Sequence, residues 1–113
     1  MPSNVKEGAT FTKHPTQEGV FLKHLFTGSD TGGCLNNLEV NIVPGFQIAP
    51  HAHDDSSEFF YVVGGHGEFL DGTEWKAIKE GDAFMAPMKM NHSIKNTGNK
   101  TLVLFSTFCP ANR

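Results

Sequence analysis

The feature that most restricts this chain is its punctuation. From Val20 onward the apolar runs are short, and clusters of glycine, aspartate, asparagine or proline separate them. The runs are Val20–Phe26, Leu35–Val43, Phe46–Ile48, Phe59–Val63, Glu68–Leu70, Trp75–Ile78, Ala83–Ala86, His92–Ile94 and Leu102–Phe108. Between them stand GSDTGG, PG, GGHG, DGT, EGD and NTGN. Runs of this length bounded by turn residues read as strands, and Asp71-Gly72 is the dipeptide of a tight hairpin. Only Glu74–Glu80 has helical character, and it is too short and too near Gly81 to form a helix. The fold class is therefore all-β, with strands spaced as in a sandwich or barrel. Residues 1–19 carry few apolar groups and are expected to form an N-terminal arm or edge strand. Residues 20–113 read as a single domain, with no repeat or linker to divide them.

A chain of 113 residues supports one core of ordinary size, and ten phenylalanines supply much of its apolar area. The net charge of -3 and the lack of any Lys/Arg run exclude nucleic acid as a partner, because nothing could neutralise a row of phosphates. No apolar stretch approaches the roughly 20 residues that span a bilayer. The opening MPSNVKEGATFTKHPTQEG has no apolar segment of the signal-peptide kind. A cytoplasmic protein without membrane contact is expected. Cys34 and Cys109 then read as reduced thiols, a single disulfide being the alternative.

Chemistry concentrates in Gly45 to Gly65, GFQIAPHAHDDSSEFFYVVGG. In an extended strand His51 and His53, two apart, point the same way. Two histidines on one face can be a surface strand or a ligand pair. Glu58 follows the polar turn Asp54-Asp55-Ser56-Ser57 and shares a face with Phe60 and Val62. A carboxylate on an apolar face needs a partner or a cation. A hairpin through the polar turn would bring all three to one side of a sheet, with His92 in PMKMNHSIKN as a fourth candidate. Three imidazoles and a carboxylate suit a divalent first-row metal: Fe, Mn, Ni, Cu or Zn. Four protein ligands leave positions open for water, dioxygen or a chelating substrate. A closed structural zinc site would favour cysteine, and none lies near these residues.

The spacing Gly45-(five residues)-His51-Ala52-His53-(four residues)-Glu58-(six residues)-Gly65 resembles the first signature motif of the cupin superfamily. Gly81-(five residues)-Pro87-Met88-Lys89-(two residues)-His92-(three residues)-Asn96 resembles the second, whose histidine is the fourth metal ligand. The resemblance implies a small antiparallel jelly-roll (double-stranded β-helix) barrel of the single-domain cupin type. It also implies one divalent transition metal per chain, held by His51, His53, Glu58 and His92, and a homodimer. The family usually has glycine where this chain has Lys89. If that glycine serves a left-handed turn, Lys89 costs about 1 kcal/mol unless the turn is rebuilt.

Other residues carry paired readings. Gln47 shares parity with His51 and is a candidate substrate-binding group, although Pro50 can break the alternation between them. Phe60 is a candidate pocket wall, with plain core packing as its alternative. Lys89 is either a turn lysine or a cation at the pocket mouth that attracts an anionic substrate, with Asp54 and Asp55 partly opposing it. Tyr61 has the opposite parity to Glu58 and falls outside the pocket. His14 and His24 read as surface or core residues, His66 as solvated in its turn, and Asn96 as satisfying backbone groups.

The superfamily includes dioxygenases, isomerases, decarboxylases, lyases and proteins that only bind ligands, so fold does not fix function. A metal-dependent enzyme acting on a small oxygen-rich or carboxylate-bearing molecule is expected, with Glu58 the one residue able to leave the metal and move a proton. The alternative is a non-catalytic module that binds or senses a sugar or carboxylate. The N-terminal arm and Val20–Phe26 are expected at a sheet edge that pairs with a second subunit.

Overall fold

The computed structural model describes residues 4–113. Its strands are β1 (Thr12–Lys13), β2 (Val20–His24), β3 (Asn36–Ile42), β4 (Gln47–His51), β5 (Ser57–Gly64), β6 (His66–Asp71), β7 (Trp75–Lys79), β8 (Ala83–Ala86), β9 (His92–Asn96) and β10 (Leu102–Cys109). They form two antiparallel sheets, one in the order β1-β2-β3-β10-β5-β8 and the other β4-β9-β6-β7. This is the double-stranded β-helix.

Alternation builds the core. Along β3 and β10 every second residue is buried, so Leu38, Val40 and Ile42 face Leu102, Leu104 and Phe108 across the sheet's inner surface. Val20 and Leu22 of β2 and Phe60 and Val62 of β5 extend that row, and Phe69, Ile78 and Ile94 close it from the second sheet. Each fully buried side chain of this size stabilises the fold by about 1.5–3 kcal/mol relative to exposure. At one end of the barrel the inward positions turn polar: His24 on β2, Asn36 on β3, Glu58 on β5 and Ser106 on β10. Neighbouring strands run antiparallel, so these positions fall side by side. That end holds the site.

Two local expectations are corrected, at GSDTGG and at His66. The separator GSDTGG contains a one-turn helix, α1 (Gly28–Thr31), because Asp30 Oδ2 accepts the Thr27 N–H at 2.9 Å and left-handed Gly32 ends the turn. As expected, Glu74–Glu80 forms no helix, and its Trp75–Ile78 run lies in strand β7, paired with β6 through Leu70↔Trp75. His66 is the first, exposed residue of β6 and not part of a turn. In the arm, Thr12 and Lys13 pair with Leu22 and Phe21, so β1 covers the edge of β2 within the same chain. Asp71-Gly72 does form a tight turn, in which the Asp71 N–H donates to Glu74 O at 3.0 Å and Gly72 takes φ 98°. Buried Asn96 donates to Ile42 O and Lys100 O, both at 2.8 Å, and accepts the Gly98 N–H. Cys34 and Cys109 are free and exposed. Among the described residues no helix is long and apolar enough to cross a membrane.

Candidate metal centre

The four candidate ligands do not come from one hairpin. β4 pairs with β9 and β5 with β10 and β8, so residues 52–56 carry the chain from one sheet to the other. His51 ends β4 opposite His92, which begins β9. His53 lies beyond the strand, and Glu58 approaches from the facing sheet. The ligands therefore converge from both walls of the barrel.

Local irregularity places His51. The β4–β9 register runs Gln47↔Lys95, Ile48↔Ile94 and then His51↔His92, so β4 holds one residue more than its partner. Pro50, which has no N–H to give the ladder, sits in this bulge. Ile48 and His51 both line the interior as a result, while Gln47 is exposed and does not line the cavity. Strand parity linked Gln47 to His51 only for an unbroken strand.

The crossing loop is pinned by the second motif. The Lys89 N–H donates to His53 O at 2.7 Å, the Met88 N–H to Ser57 Oγ at 3.2 Å, and Ser56 Oγ to Pro110 O at 2.8 Å. Lys89 makes its bond from φ 69°, so the turn keeps the left-handed geometry that glycine would adopt without strain. Its side chain is exposed and does not line the cavity, which removes it as the cation at the mouth.

One candidate donor atom from each of His51, His53, Glu58 and His92 lies within 4.8 Å of all the others. Glu58 Oε1 is 3.3 Å from His92 Nε2 and 3.4 Å from His53 Nε2, while Oε2 accepts the Ser106 hydroxyl at 2.6 Å. His51 Nδ1 donates to Ala49 O at 2.8 Å and His92 Nδ1 to Met90 O at 3.0 Å, which frees Nε2 of each ring for the cluster. The His53–Glu58 contact lacks hydrogen-bond geometry, leaving His53 Nε2 buried without a partner. A buried, unpartnered imidazole nitrogen beside a carboxylate and two oriented imidazoles is a donor set that fits a divalent cation. These residues can hold one.

Charge is tuned to match. Burial alone would push the Glu58 carboxyl up, but His53, His92 and the Ser106 hydroxyl together hold it below the usual glutamate range. Burial pulls His92 down, and its bonds to Glu58 and Met90 O more than offset this, so it lies above the ordinary histidine value. His51 is lowered, chiefly by burial. Both shifts favour an ionised Glu58 beside a protonated His92.

The cluster opens into a cavity of about 300 Å³ walled by Leu38, Val40, Ile48, Phe60, Ile94 and Phe108. Phe60, 5% exposed, stacks on Phe84 at 4.9 Å and serves as both wall and core. Tyr61 is on the outer face. His14 and His24, read from sequence as surface or core residues, also line the cavity, as do Asn36 and Arg113, which the sequence reading did not mark. For His24 and Asn36 the signal was present, since each continues an inward apolar row (Val20, Leu22, His24; Asn36, Leu38, Val40). Nothing local marks His14 or Arg113.

A family model described as a cupin domain matches residues 38–108. The chain is 30% identical over 96 residues to an uncharacterized protein of Methanocaldococcus jannaschii, covering 84% of this chain and 77% of that one. It is 35% identical over 63 residues to an oxalate-binding protein of Thermotoga maritima, covering 56% of this chain and 52% of that relative. Among solved structures, a predicted oxalate decarboxylase from Thermotoga maritima superposes with a TM-score of 0.85 at 24% identity, over 94% of this chain and 96% of that one. At that identity the likeness speaks for the fold.

Proposed function

The chain belongs to the cupin family, and on that premise we propose that it is a metal-dependent enzyme acting on a small carboxylate-bearing or otherwise oxygen-rich molecule. The observation that carries this reading is the His51, His53, Glu58, His92 cluster at the floor of an apolar-walled cavity. A divalent first-row cation held there supplies Lewis acidity, and redox chemistry if it is iron or copper.

The chain's own residues do the rest. Ile48, Phe60 and Ile94 exclude water around the reacting group, which strengthens every charge interaction at the floor. Ala49 O and Met90 O hold the tautomers of His51 and His92. Glu58 is the only acidic residue lining the cavity among the described residues. Ser106 holds its Oε2, so Oε1, which faces His53 and His92 and would hold the cation, would have to leave it before taking a proton from a bound substrate.

The test is a turnover screen of metal-loaded protein on keto acids, enols and uronates, following dioxygen uptake and product formation. Turnover lost in a Glu58→Gln variant supports the enzyme reading. Tight binding without turnover across the panel would support a binding module instead, a second reading favoured by the oxalate-binding relative.

The assembly we propose is a homodimer. On β5 and β8 the outward residues Phe59, Tyr61, Val63 and Met85 are each between 41% and 49% exposed, an apolar row suited to a second copy. The edge strand β1 of the N-terminal arm, beside β2 in the same sheet, is the alternative contact surface. Light scattering at tens of micromolar checks it, and a monomer there would count against it. Two exposed free thiols fit the reducing cytoplasm, where we place the protein.

A further inference from the structure

The cavity has a second polar region whose free hydrogen-bonding capacity is almost all donor. Asn36, 1% exposed, accepts the Asn112 N–H on Oδ1 at 2.8 Å, which fixes its amide orientation and leaves Nδ2 buried with no partner. His14 Nδ1 faces the N–H groups of Thr16 and Gln17, both at 3.1 Å, so its proton sits on Nε2. Arg113 donates from Nη1 to His24 Nε2 at 2.7 Å, which makes His24 neutral and leaves the other guanidinium N–H groups free. Burial lowers both histidines and the Arg113 charge adds to it, so Arg113 is the fixed cation of the group.

The C-terminal segment that carries Arg113 is itself held. Ala111 N–H donates to Gly33 O, Asn112 N–H to Asn36, and Arg113 O accepts the Gly28 N–H. The Arg113 backbone is thus fixed beside the cavity, where among the described residues no acidic side chain other than Glu58 contributes to the lining. Donors plus one fixed cation, with an unpartnered buried amide, are what an oxyanion requires.

Register sets the distance from the metal ligands. Asn36 pairs with Phe108, and Phe108 pairs with Glu58, so two inter-strand steps, roughly 10 Å in all, separate them. Both side chains face the interior, so a ligand held by the metal ligands and by Asn36 has to reach across two strand positions. The geometry points to a carboxylate subsite formed by Arg113, His14 and Asn36, so that the ligand is a dicarboxylate or oxo-dicarboxylate that chelates at one end and is clamped at the other. The two-ended ligand rests on the metal reading above; the subsite does not.

Two titrations test this. In metal-loaded protein, 2-oxoglutarate and pyruvate share a chelating 2-oxo acid head, and only the former carries a remote carboxylate. Calorimetry is expected to show about ten-fold tighter binding of 2-oxoglutarate, a preference removed by Arg113→Gln and partly retained by Arg113→Lys. Arg113 is exposed, so these variants leave the core intact. In metal-free protein, glutarate is expected to shift the His14 and His24 ring resonances, and Arg113→Gln to abolish the shift. Ring shifts in a chain that takes up no metal would sink the metal reading and keep the subsite. Metal uptake with equal affinity for the two oxo acids, or a preference that survives Arg113→Gln, would overturn the subsite.

Discussion

Removing the Ser106 hydroxyl isolates what holds Glu58 in place. Ser106 is 0% exposed and its Oγ donates to Glu58 Oε2 at 2.6 Å, a short bond to an ionised acceptor. Ser106→Ala leaves that oxygen buried without a donor, a loss of about 1.5–3 kcal/mol for a hydrogen bond to a charged group. Glu58 lies below its ordinary value of 4.5, so its contribution to stability is present above pH 4.5 and is lost as pH falls through the lowered value. The variant should therefore lose stability at neutral pH and converge on the wild type in acid, once Glu58 is protonated in both. Because a partner that orients a ligand is worth about ten- to hundred-fold in metal affinity, the same variant should weaken Mn²⁺ or Zn²⁺ binding by that factor. Urea unfolding of the metal-free protein at both pH values, with calorimetric metal titration, measures the two effects. Equal destabilisation at both pH values, or unchanged metal affinity, would refute the role assigned to Ser106.

Lys89→Gly should stabilise the protein by about 0.5–1 kcal/mol, since relief of the strain at φ 69° exceeds the extra freedom glycine gives the unfolded chain; a lower melting temperature would contradict it. Gly67→Ala should destabilise by about 3 kcal/mol, because the new Cβ would fall on Lys95 O of the paired strand β9, and denaturant unfolding reads this directly. Metal affinity should rise with pH and level off above the raised value of His92, because below it a proton on Nε2 competes with the cation. Calorimetry from about pH 5 to about pH 8 checks the slope, and a flat profile would argue that His92 is not a ligand.

The strand content of the fold is written in the alternation, and β3, with its Asn36-x-Leu38-x-Val40-x-Ile42 row, shows why: one face is buried, so period two is enforced residue by residue. The approach of His51, His53, Glu58 and His92 was also legible, through motif spacing. How they approach was not, because pairing across two sheets depends on where residues 52–56 cross, and no local pattern encodes a crossing. Gln47 shows the limit of parity, which a single bulge at Pro50 resets. Lys89 was legible as a strained turn, yet its side-chain direction was not, and the cation at the mouth is Arg113. Arg113 is placed by hydrogen bonds to Gly28 and, through Asn112, to Asn36, long-range contacts that leave no trace in spacing.

Elemental analysis of gently purified protein, repeated on His51→Ala and His92→Ala, addresses the site at its root. About one equivalent of a divalent first-row metal per chain is expected in the wild type, and none in either variant, with both variants still folded by circular dichroism. A wild type that contains no metal, and that takes up none of Fe, Mn, Ni, Cu or Zn on reconstitution, would contradict the assignment of these four residues as a metal centre.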